Sequence, residues 1–168
     1  TLEQFKLHGA VQLDEVFDPA FIARLQAHFD KKYGRHFHDG HHPHALRTGD
    51  KRYMLTLEMD DELGNPEFIA SGLLMPIVHS MLGDDCVMTT YTSVISLPGS
   101  KDQLMHKDYA ALFEEKGWKF KVPCWSMQVI VPIVPMDEKT GGTAIWKGSQ
   151  EMGYRRSRKR DVHDPVVP

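Results

Sequence analysis

The sequence predicts a mainly β domain with N-terminal helices, built as an antiparallel sandwich or barrel. Three observations carry this: two amphipathic stretches in the first half, Val/Thr/Tyr/Ile-rich runs in the second, and no strand-helix-strand alternation. At roughly 150 residues per domain, the 168 residues make a single domain. Within it, residues 1–84 form the helical part and 85–168 the strands.

The segment from Gly9 to Phe17 is short and apolar and reads as an entry strand. Asp18 and Pro19 follow as an N-cap and a first-turn proline, and Phe21, Ile22, Leu25 and Phe29 recur at helical spacing. Tyr33 to Asp50, rich in Gly, His and Pro, lacks periodicity and reads as a loop. Asn65-Pro66 repeats the cap signal. Phe68, Ile69, Leu73, Ile77, Met81 and Leu82 then predict a second helix, bent at Pro76 and ending near Gly83. Cys86 to Leu97 reads as a strand closed by the Pro98-Gly99 turn, and Val122 to Pro135 as a second β run. A turn at Asp137 to Gly142 leads into a third, Thr143 to Trp146.

Composition excludes several classes. Twenty basic against 23 acidic side chains give a net charge of −3, so no global positive field recruits nucleic acid. The most apolar stretches fall short of the ~20 residues that span a bilayer. Two cysteines make no disulfide scaffold, and no signal-peptide pattern opens the chain, which together predict a cytoplasmic setting. The oligomeric state is not legible.

With ten histidines and fourteen aspartates, His-x-Asp is expected about once by chance. It occurs twice, and local geometry separates the two. On a helix, His28 and Asp30 point to nearly opposite sides and cannot share an ion. On a strand, His106 and Asp108 lie on one face and can. Such a pair, with a second histidine from elsewhere, is the facial triad that holds ferrous iron. A surface His and Asp is the plainer alternative.

Other features have a functional and a plain reading. The cluster His36, His38, His41, His42 and His44 could build a Zn or Ni module, but Gly40 and Pro43 break any helical HxxxH face, which favours a solvated loop. Trp118, Phe120, Trp125 and Trp146 could line a pocket or fill the core. Arg52 could reach a site or stay exposed beside a core Tyr53. The basic run Arg155, Arg156, Arg158, Lys159 and Arg160 could meet anions or water.

Several segments then follow one another in a telling order. They are the Gly9-to-Pro19 entry followed by a helix, Leu97-Pro-Gly-Ser100 running into Gln103-Leu-Met-His-Lys-Asp108, and Val131-Pro-Ile-Val-Pro135. Last come Gly141-Gly142 and Thr143-Ala-Ile-Trp-Lys-Gly-Ser-Gln150. From about residue 5 to 150 this set resembles the phytanoyl-CoA dioxygenase family of Fe(II)- and 2-oxoglutarate-dependent oxygenases.

The resemblance implies a double-stranded β-helix (jelly roll, cupin-like). It makes His106 and Asp108 two of three iron ligands, and aligns Gln103 and Thr143 with positions that contact 2-oxoglutarate. For those two, a polar strand residue and a β-former after a turn serve as well. It further implies O2 as cosubstrate, a small organic substrate, and oxidative decarboxylation of 2-oxoglutarate to succinate and CO2. Asp108, where halogenating relatives carry a small residue, implies hydroxylation. Gln150 stands where many relatives have His.

The family's distal His and the Arg beyond it have no match. His163 sits in a proline-broken tail and no Arg follows it. The expectation is therefore a jelly roll lacking its last strands, with the third ligand and the anchoring Arg beyond residue 168. The alternative is a non-catalytic or truncated jelly-roll binding protein.

Overall fold

The computed structural model describes residues 1–34, 45–109 and 123–151. The chain opens with α1 (Leu2–His8), which stops at Gly9, where φ is 75° and the amide donates to Phe5 O. The far end of the described chain covers this stop. Gly148 N–H donates to His8 O at 2.8 Å, and Gln150 Nε2 donates to the carbonyls of Lys6 and Leu7 at 3.3 and 3.2 Å. The expected entry strand at Gly9 to Phe17 does not form; the segment runs as bends and coil. Its apolar end instead supplies Phe17, whose ring packs 5.8 Å from Phe21 and 5.5 Å from Phe68.

Helix α2 (Pro19–Phe29) follows the sequence signals closely. Asp18 has extended backbone and its carboxylate accepts from Ala20 N at 2.7 Å, while Pro19 occupies the first turn, where a missing N–H costs nothing. Phe21, Leu25 and Phe29 are buried at four-residue spacing. A π turn, Asp30–Gly34, extends the helix and carries Tyr33 into the same core, 5.3 Å from Phe29.

The sheet departs from the prediction in its placement. Strands β1 (Ala45–Gly49) and β2 (Arg52–Thr56) form an antiparallel hairpin inside the half expected to be helical, and the last residues of the expected loop at Tyr33 to Asp50 are β1 itself. β1 shows no alternation of burial, being an edge strand held by main-chain pairing, so periodicity had nothing to report. β3 (Thr92–Ser96) pairs antiparallel with β2, giving the order β1-β2-β3. Of the expected run Val122 to Pro135, the described part (123–135) forms no strand, and Thr143 to Trp146 contributes a single bridge at Ile145. Pro123, Pro132 and Pro135 cannot donate to a ladder, and β propensity without a partner makes no sheet. Among the described residues the fold is thus a three-stranded antiparallel sheet with helices.

The expected long helix is two short ones. α3 (Pro66–Ile69) is capped by Asn65, which accepts from Glu67 N at 2.9 Å, and α4 (Met75–Leu82) begins with Pro76 in its first turn. Pro76 starts a helix here rather than bending one. The core gathers Phe21, Leu25, Phe29, Tyr33, Leu55 and Leu63, with Phe17, Ile22, Phe68, Tyr91, Ile95 and Ile133 packed around them. Two hydroxyls are satisfied at its edge: Glu58 N–H donates to Tyr33 Oη, and Tyr91 Oη donates to Leu63 O at 2.8 Å. Burial pushes the Tyr91 phenol up to about 12.

Candidate metal centre

The segment carrying His106 is tethered to the hairpin. Leu97 N–H donates to Lys51 O at 2.9 Å, Lys51 Nζ donates to Pro98 O at 3.2 Å, and Ser100 Oγ donates to Asp50 O at 2.8 Å. Arg52 adds two bonds across the sheet, Nε to Ser96 Oγ at 3.0 Å and a terminal nitrogen to Lys101 O at 3.1 Å. Gly99 closes the turn at φ 80°, a conformation that L side chains rarely adopt. Arg52 is therefore a tether for the chain five residues before His106, not a loose surface charge.

His106 and Asp108 come together, though not on a strand: residues 101–107 are irregular and Asp108 sits in a bend. His106 Nε2 lies 3.5 Å from Asp108 Oδ1, and both side chains are half-exposed. His106 Nδ1 lies 2.8 Å from Leu104 O. A backbone carbonyl accepts only, so Nδ1 is the donor here and Nε2 is the ring nitrogen turned toward Asp108. Histidines that ligate metals are commonly oriented by such a bond from the other ring nitrogen to a carbonyl. The donor set, one imidazole nitrogen and one carboxylate, fits two positions of a ferrous facial triad. Among the described residues no third His, Cys, Asp or Glu joins them.

Gln103 is exposed on the same irregular segment, and Thr143 is exposed just after Gly142. The structure describes no contact of either with His106 or Asp108. Tyr109, next after Asp108, meets Trp125 edge-on at 5.5 Å and 73°, so one of the tryptophans noted in the sequence packs on the residue that follows the pair. Trp146 is half-buried; the expectations for Trp118, Phe120, the histidines at 36–44, the basic run and His163 fall outside the described residues. The acidic turn after the proline-rich run is ordered by Asp137, whose Oδ1 accepts from Lys139 N and Thr140 N at 2.8 Å each. Those amides hold its carboxyl below the usual aspartate range.

A second cluster lies outside the sequence expectations. Among the described residues, one set of three potential ligands converges: His28 of α2 with Asp60 and Asp61 of the loop between β2 and α3. His28 indeed does not use Asp30. Lys32 donates to Asp60 and to Glu58, which raises the ammonium's affinity for its proton and holds Asp60 below the usual carboxylate range. The missed signal was Arg24, His28 and Lys32 at four-residue spacing, answered by the acidic run Glu58-Met-Asp-Asp-Glu62.

Antiparallel sheet, helical cover and an exposed His-x-Asp pair with an oriented imidazole define a candidate non-haem metalloprotein. The sequence model of the family described as phytanoyl-CoA dioxygenase (PhyH) matches residues 5–165, nearly the whole chain, and the chain belongs to that family. Its members are in general iron- and 2-oxoglutarate-dependent dioxygenases, and membership implies a cupin or jelly-roll fold. No solved structure matches the chain. Among the described residues, no helix is long and apolar enough to cross a membrane.

Proposed function

We propose that this chain is an Fe(II)- and 2-oxoglutarate-dependent oxygenase that hydroxylates a small organic substrate, with His106 and Asp108 holding the iron. The observation that carries the reading is the His106–Asp108 pair itself, at 3.5 Å, with Nδ1 committed to Leu104 O. Iron, when bound, would supply the oxidative decarboxylation of 2-oxoglutarate and the activation of O2. The protein's own part is positional. The Leu104 carbonyl orients the His106 ring through Nδ1, the Asp108 carboxylate contributes charge, and Tyr109, next in the chain, packs on Trp125. Gln103 and Thr143 are proposed as contacts of the cosubstrate. A carboxylate at 108 fills the position that a halide would need, which supports hydroxylation over halogenation.

The test is an anaerobic titration with Fe(II) and 2-oxoglutarate, followed by the weak visible charge-transfer band of the chelate. A band saturating at one equivalent in the wild type and absent in His106→Ala and Asp108→Ala supports the reading. A folded wild-type protein with no band favours a jelly-roll binding protein without catalysis.

A further inference from the structure

Arg24, His28 and Lys32 face the acidic run 58–62 one after another. Arg24 Nε donates to Glu62 Oε1 at 3.0 Å, and Lys32 Nζ donates to Glu58 Oε2 at 2.8 Å and to Asp60 Oδ2. His28 fills the middle position, with Nε2 3.5 Å from Asp60 Oδ1 and Nδ1 4.0 Å from Asp61 Oδ2. Two permanent cations thus meet four carboxylates, and the two charges left over face an imidazole.

Two atoms at this point are unfulfilled. His28 Nε2 and Asp60 Oδ1 are both buried without a hydrogen-bond partner. Their separation of 3.5 Å exceeds the N–H···O range of about 2.7–3.2 Å. It is close to the spacing of about 3.3 Å between two ligands of a tetrahedral ion with bonds of about 2.0–2.1 Å. One ligand atom from each of His28, Asp60 and Asp61 lies within 4.8 Å of the other two. The Asp61 side chain is 80% exposed, so packing does not hold its carboxylate in one rotamer.

We propose that His28, Asp60 and Asp61 form a second divalent-metal site, separate in its residues from His106 and Asp108, that pins α2 to the loop between β2 and α3. A divalent ion matches the two leftover charges, whereas a protonated imidazole would match one. An imidazole among the ligands selects a borderline ion such as Zn2+ over Ca2+ or Mg2+.

The probe is zinc chloride added to the full metal-free chain, read as melting temperature. Because only the folded chain presents the three ligands together, zinc at a hundredfold excess over its dissociation constant raises the wild-type midpoint by about 5 °C or more. His106→Ala keeps that rise. Asp61→Asn, on an exposed side chain that leaves the fold intact by circular dichroism, and His28→Gln each weaken the zinc dependence by about tenfold or more. An undiminished rise in both variants, loss of the rise in His106→Ala, an equal rise with calcium, or no wild-type rise at all would each overturn the site.

Discussion

Single residues in this chain act mainly by satisfying backbone groups that irregular segments leave open. Asp137 is the clearest case: one carboxylate oxygen accepts from Lys139 N and Thr140 N, while the Thr140 hydroxyl accepts from Asp137 N and has its single hydrogen within reach of both Asp137 Oδ1 and Pro135 O. Those donors favour the ionised form, so its carboxyl sits below the ordinary aspartate value of 3.8. A group depressed in the folded state contributes its full stabilisation above the unfolded value, and that contribution disappears as pH falls through the folded value. In an acid titration by NMR, the Lys139 and Thr140 amide proton shifts should therefore follow a curve whose midpoint lies below 3.8. A midpoint at or above 3.8 would remove the turn's electrostatic basis. Asp137 was legible as part of an acidic turn; which of its neighbours' amides it collects was not, because that depends on a backbone path that turn residues permit without specifying.

Caps and proline positions carried the helices from sequence to structure. Asp18-Pro19 and Asn65-Pro66 mark helix starts that the structure reproduces with side-chain bonds of 2.7 and 2.9 Å. Asp18→Ala should cost about 1 kcal/mol in urea denaturation, the usual worth of such a cap. A loss below about 0.3 kcal/mol would mean that burial of Phe21, Leu25 and Phe29 alone sets where α2 begins. Strands behaved differently. A cap is a local contact between residues two apart, whereas a strand exists only through a partner strand. Val94 and Ile95 found β2, but the equally β-prone Val129 and Ile130 have none among the described residues and stand exposed. The hairpin was hidden for the complementary reason: Ala45 to Gly49 has no period to read, and only pairing with Arg52 to Leu55 makes it a strand.

Across the whole molecule, the hairpin turn and the segment leading to His106 form one mechanical unit. Arg52 joins β2 to Ser96 of β3 and to Lys101 O, while Asp50 and Lys51 receive Ser100 and Leu97. His-x-Asp in the sequence marked His106 and Asp108 as a candidate pair, and the structure sets them 3.5 Å apart; the tether that sets their segment against the sheet crosses about fifty residues and left no trace in local pattern. On the proposed function, Arg52 is a positioning residue. Arg52→Ala frees Lys101 O and the Ser96 hydroxyl, lets residues 100–106 wander, and should weaken Fe(II) binding by about tenfold, because an ordered ligand pair binds better than one that must be ordered at binding. Asp18→Ala serves as the comparison, since it lowers global stability without touching this segment. If both variants lose stability but only Arg52→Ala loses Fe(II) affinity, the arginine acts through placement of the pair. Equal affinity in the two, measured by anaerobic titration, would reduce Arg52 to an ordinary cross-strand contact and leave the orientation of His106 to the Leu104 carbonyl alone.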